Sequence, residues 1–144
     1  MNLENIPGGR MARLPKGIDL LAALETLCAE TGLTRGLVQV IGALEHSVVG
    51  YYRQGERRYV DMEIKENVEI LSGLGNVSLK DGKPFVHLHL VLGREDGSCV
   101  GGHAMPGCLI FAAEAALFAL DGPPLEREYD PETGLALWRK SHAP

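Results

Sequence analysis

Three of the five histidines of this chain fall in one stretch, HLHLVLGREDGSCVGGH, from His87 to His103. Side chains on a β-strand point alternately to opposite faces, so His87 and His89 share one face while Leu88 and Leu90 take the other. Two imidazoles on one face suit two ligands of a single metal ion. The third histidine follows an Asp96-Gly97 turn signal. If Asp96-Gly97 is a two-residue turn, His103 pairs with Leu90 and lies on the wrong face. One inserted residue reverses that parity. Gly101-Gly102 would tolerate a β-bulge, because glycine accepts positive φ; a different turn type would have the same effect. Three neutral imidazoles suit zinc, or another divalent metal, at ~2.0–2.1 Å and leave a fourth position for water or a carboxylate. A lone strand histidine is usually structural, but His-x-His followed by Gly-Gly-His is a more specific pattern. His46 and His142 have no comparable spacing and are expected at the surface.

Other chemistries find less support. A cupin motif also begins with His-x-His, but Gly82 stands one residue too close to His87, Glu95 falls in the turn, and no second cupin motif follows. Ser72, Ser78 and Ser98 lack a Gly-x-Ser-x-Gly setting. SGLGN and VGGH lack the strand-to-helix context of a phosphate loop. Cys28, Cys99 and Cys108 have no Cys-x-x-Cys spacing and read as reduced, mostly buried thiols. The catalytic residues of any enzyme here stay unassigned. For a zinc-dependent hydrolase or lyase, Glu69 or Glu114 is the candidate base activating a metal-bound water.

The 144 residues fit one domain, 1–144. A net charge of −5 argues against strong DNA binding, which depends on neutralising phosphates. The basic residues form two loose groups, Arg10, Arg13 and Lys16, and Arg53, Arg57 and Arg58, both read as solvated surface. No apolar run reads as a membrane span and the N-terminal residues lack a signal-peptide core, so a cytoplasmic protein is expected.

The elements that must position the histidines are mostly strands. Residues 1–8 read as a loose lead-in and 10–14 as a short strand. DLLAALETLCAETG carries apolar residues at helical spacing, with Asp19 as N-cap and Gly32 as the residue past its end. GLVQVIGALEHSVVGYY, RRYVDMEI, VEILSGLGNVSL, FVHLHLVL and CVGGH read as strands, the last three linked as an antiparallel meander through KDGKP and GREDGS. GCLIFAAEAALFAL favours helix on propensity. LEREYDPETGLALWR reads as two strands around Asp130-Pro131-Glu132-Thr133-Gly134.

RLPKGIDLLAAL, GLVQVIGALEHSVVGYY and VEILSGLGNVSLKDGKPFVHLHLVLGREDGSCVGGHAMPGC together resemble the PPC (plants and prokaryotes conserved) domain over about residues 10–121. The resemblance implies an α+β fold: a compact single domain, mostly antiparallel sheet with one main helix, about 19–31, packed on it, and usually a homotrimer. It also implies a strand, not a helix, over residues 108–120, and places the metal ligands on His87, His89 and His103 with zinc as the usual ion. Plant relatives carry AT-hooks with an Arg-Gly-Arg-Pro core; this sequence has none, so the family's DNA-binding label is expected not to hold here. The expected function is a trimeric metal-binding module that recruits a protein partner or small ligand; a zinc enzyme and a DNA-binding regulator are the alternatives.

Overall fold

The computed structural model describes residues 2–140, so His142 lies outside the described residues. The described residues form ten strands and one helix. The strands are β1 (Asn2–Ile6), β2 (Gly9–Leu14), β3 (Gly36–Arg53), β4 (Arg58–Ile64), β5 (Val68–Lys80), β6 (Lys83–Gly93), β7 (Cys99–Ala104), β8 (Leu109–Ala119), β9 (Arg127–Asp130) and β10 (Leu135–Trp138), with helix α1 at Leu20–Thr31. The main sheet runs β1-β2-β8-β3-β5-β6-β7; β4 pairs with β3, and β9 with β10 forms a separate hairpin. All strand pairings are antiparallel. No helix among the described residues is long and apolar enough to cross a membrane.

The expected α+β single domain with one helix is what the chain forms. The lead-in is the exception: residues 2–6 are strand β1, paired with β2 from Asn2↔Arg13 to Ile6↔Gly9. Its side chains are almost all exposed, so it carries no buried face that would mark it in the sequence. Residues 109–119 are strand, as the family resemblance requires against their helix propensity. The reason is position: β8 lies between β2 and β3, and Ile110, Ala113, Ala115 and Leu117 face the core.

Helix α1 closes that core. Leu20, Leu24, Leu27 and Cys28 are fully buried against an inner sheet face that includes Val38, Val40, Leu88, Leu92 and Ile110. Asp19 caps the helix, one carboxylate oxygen accepting from Ala22 N at 3.0 Å. The other accepts from Gly107 N at 2.7 Å and Cys108 N at 3.1 Å, tying the β7–β8 connection to the helix start. Gly32 ends the helix at φ 68°, a left-handed conformation that glycine adopts without strain.

Strand β3 is the long member that bends. Its first half pairs with β5 and β8, with register shifts at Val40/Gly42 and around Leu44. Past the bend it pairs with β4, and at Val49↔Ala104 and Gly50↔His103 with β7. The pairings β3–β5–β6–β7–β3 therefore close a ring, which brings β7 between β6 and the second half of β3.

Replacing Asp19 with Ala takes the acceptor from three backbone N–H groups, the helix cap at Ala22 and those of Gly107 and Cys108, a loss of about 2–4 kcal/mol. Urea unfolding should show a lower midpoint for that variant; an unchanged midpoint would reject this linking role.

Candidate metal centre

The structure brings the three predicted histidines together. Their ligand nitrogens lie within 4.8 Å of one another. The rings form a triangle with centroid separations of 4.9 Å (His87–His103), 5.1 Å (His87–His89) and 5.4 Å (His89–His103). Leu88 and Leu90 point the other way and are buried, as strand alternation requires.

His103 reaches this face by a different route from the bulge considered above. Pairing is regular through His89↔His103, Leu90↔Gly102 and Val91↔Gly101, with no bulge at the glycines. The turn supplies the extra residue. Arg94 N donates to Ser98 O at 2.9 Å, so three residues, Glu95, Asp96 and Gly97, are enclosed rather than two. Gly97 takes φ 81°, and Ser98 N donates to the Asp96 carboxylate at 2.8 Å. Gly101 and Gly102 serve close packing instead. A Cβ on Gly101 would sit 2.3 Å from Leu90 O, and one on Gly102 2.7 Å from Gly50 O.

The donor set fits a divalent cation. His87 Nε2 and His89 Nε2 are 3.2 Å apart. Two nitrogens each ~2.0–2.1 Å from one tetrahedral ion stand about 3.3 Å apart. Without an ion, the same pair can share only one N–H···N hydrogen bond. His103 Nδ1 is buried with no hydrogen-bond partner, and an orphaned buried polar atom in a native fold calls for an occupant or an explanation. Burial pushes both His87 and His103 down to about 4, helped by positive charge on the neighbouring histidines and Arg127. Both rings are therefore neutral near pH 7, the state in which imidazole binds metal.

A cavity of about 280 Å³ opens beside His87 and His103, walled by Tyr59, Phe85, Arg127 and Leu135. Tyr59 stacks on His103 at 4.9 Å between centroids. No Asp or Glu among the described residues lines this cavity. Glu69 and Glu114 line a separate cavity with Arg13. Along β5, Glu69 is five residues from Leu74, the partner of His89, or about 16 Å at strand rise. Neither candidate base is brought to the histidines.

His46 is more than a surface residue. Its Nδ1 lies 2.8 Å from Gly107 O and its Nε2 2.9 Å from Glu63. Both contacts, the backbone one first, hold its pKa above the ordinary value. Arg57 and Arg58 are exposed, as the surface reading expects, and both also line the mouth of this cavity together with Lys80 and Arg127. Sequence inspection missed Tyr59, Lys80 and Arg127 because no local pattern joins three residues from three separate hairpins. Of the cysteines, Cys28 and Cys108 are buried and Cys99 is exposed, all as free thiols.

Similar proteins share this architecture. The metal-containing protein AF0104 of Archaeoglobus fulgidus is 40% identical, with a TM-score of 0.88 over 97% of this chain and 99% of that one. A candidate DNA-binding protein of Bacteroides thetaiotaomicron is 25% identical, with a TM-score of 0.88 over 96% of each chain. Among curated sequences, the Bifunctional protein GlmU of Synechococcus sp. (strain JA-2-3B'a(2-13)) is 36% identical over 128 residues, 85% of this chain. The chain spans only 18% of that relative's length. The sequence pattern of the Plants and Prokaryotes Conserved (PCC) domain matches residues 6–121, most of the chain, and the protein belongs to that family.

Proposed function

We propose that this protein is a metal-binding module in which His87, His89 and His103 hold one divalent cation, with zinc the best-suited ion. The observation that carries this reading is the convergence of three imidazoles, two of them kept neutral by burial, on one face of the β6–β7 hairpin. The metal-containing relative from Archaeoglobus fulgidus supports it. The ion would supply a Lewis-acid centre at an open cavity. Among the described residues no carboxylate lines that cavity to serve as a base, so binding and regulation are better supported than hydrolysis. The DNA-binding reading is favoured by the label on the Bacteroides thetaiotaomicron relative, but a net charge of −5 and the absence of Arg-Gly-Arg-Pro weigh against it.

The module is proposed to work as a homotrimer. Support comes from the outer sheet face, where Leu37, Ile41, Leu71, Leu74, Val91 and Phe111 are all exposed. An apolar surface of this extent on a small domain marks an association site, and cyclic closure covers it without forming fibres.

Elemental analysis of unchelated wild-type protein should return one zinc per chain. His89→Ala should lose most of it while keeping its far-ultraviolet circular dichroism, because the core contacts come from Leu88 and Leu90. His46→Ala should retain it. Equal zinc in wild type and all three of the His87, His89 and His103 alanine variants would end the proposal.

Light scattering on the purified protein should give a mass near three times 15.6 kDa. A monomer at micromolar concentration would contradict the assembly.

A further inference from the structure

The cavity beside the histidines has a charge the chain as a whole does not. The sequence has 14 basic and 19 acidic residues; among the described residues, four basic ones, Arg57, Arg58, Lys80 and Arg127, face this cavity and no acidic one does. Arg58 is neutralised by Glu56. The other three have no carboxylate within ion-pair distance among the described residues.

Arg127 is the most telling of them. It is partly buried, and burial is the chief influence lowering its pKa. Its guanidinium donates to Ser78 Oγ at 2.7 Å, Ala136 O at 2.9 Å and Asn76 Oδ1 at 2.9 Å. All three acceptors are neutral, and a guanidinium has N–H groups left over after these bonds. A desolvated cation is normally matched by an anion. Here the fold orients the fork rigidly and leaves its charge unmatched. Lys80 Nζ is 5.5 Å and Arg127 Cζ 5.0 Å from the centre of the Phe85 ring, so both cations are gathered around one aromatic ring. Arg57 is held to the β9–β10 loop by donating to Pro131 O at 3.1 Å and Glu132 O at 3.3 Å.

The remaining walls are aromatic rings and the segment from Gly134 to Leu137 that enters β10. Tyr52 and Tyr59 pack at 5.0 Å between centroids, and Tyr59 continues the stack onto His103. The volume, about 280 Å³, lies just below the ~300–1,000 Å³ range of drug-sized ligand sites. It suits one ring with a charged head group.

We propose that this cavity binds a small planar organic anion, a carboxylate or a phosphate monoester, whose head group is taken by Arg127 and Lys80 and whose flat body lies against Tyr59 and Phe85. The β9–β10 hairpin, which lies beyond the family-matched residues 6–121, supplies the central arginine. The site uses the chain's own cations and needs no metal; this inference goes beyond the metal reading and is separable from it.

The test is calorimetric titration of chelator-treated, full-length protein with phenyl phosphate and, separately, benzoate, with benzyl alcohol as the neutral control. Wild type should bind at least one of the anions, and the tighter of the two identifies the head group. Benzyl alcohol should not bind. Arg127→Gln should weaken binding at least tenfold and Lys80→Gln at least threefold. The Lys80 side chain has no hydrogen bond to the β9–β10 hairpin among the described residues, so its variant guards against a loss caused by loosening the hairpin. No binding by wild type, or wild-type affinity in either variant, would overturn the proposal. Repeating the titration with zinc-loaded protein separates the two readings. Anion binding that requires zinc and ignores both substitutions leaves the metal centre standing and removes the cationic site. Binding to a protein that takes up no zinc does the reverse.

Discussion

The register between β6 and β7 is the constraint on which the candidate centre rests. Because side chains alternate with a period of two, a slip of one residue would exchange His103 with Ala104, which is buried in the core. It would put an imidazole among leucines and an alanine on the face that carries His87 and His89. Two sets of contacts prevent the slip. The three-residue turn Glu95-Asp96-Gly97 sets the offset at one end. At the other, β7 also pairs with β3 through Val49↔Ala104 and Gly50↔His103, so both edges of the short strand are committed. Gly101 and Gly102 allow that double pairing because a side chain at either would strike a neighbouring backbone carbonyl.

The same alternation separates stability from chemistry. On β6, Leu88, Leu90 and Leu92 are buried beneath α1, while His87, His89 and Val91 face outward. Helix α1 reaches the strand directly, Glu25 accepting from Val86 N at 3.2 Å where β6 has run past its pairing with β7. The strand is thus anchored from below by apolar packing and one side-chain cap. Its outer residues can be changed without opening the core.

The C-terminal hairpin gives the site its electrostatic character. It is joined to the body through Tyr52 Oη donating to Thr133 O at 2.7 Å, through Arg57 to the β9–β10 loop, and through Leu79 N donating to Leu125 O at 2.7 Å. These bonds set Arg127 over β5 and next to the histidines. Positive potential near imidazoles favours their neutral form. It also favours an anion over a second cation in the open cavity. An acidic chain with one uncompensated basic cavity is selective by location, not by net charge.

Much of this could be read from residue order. The period-two pattern of FVHLHLVL, the Asp-Gly turns, the apolar face of α1 with Asp19 and Gly32 at its ends, and the grouping of His87, His89 and His103 are all local signals, and each has its predicted place. Strand β1 escaped detection because pairing through the backbone alone, with exposed side chains, leaves no periodic trace. Strand β8 reads as helix in isolation because its alanines and leucines favour helix wherever neighbours do not decide; wedging between β2 and β3 decided it. The turn, not the glycine pair, set the parity of His103, since either device has the same effect on register and only backbone hydrogen bonds distinguish them. Composition and spacing therefore determined most of the strands, the helix and the grouping of the three histidines. The bend of β3, the closure of the ring and the arrival of Arg127 beside His87 were decided by tertiary structure alone, because they depend on contacts between residues far apart in the chain.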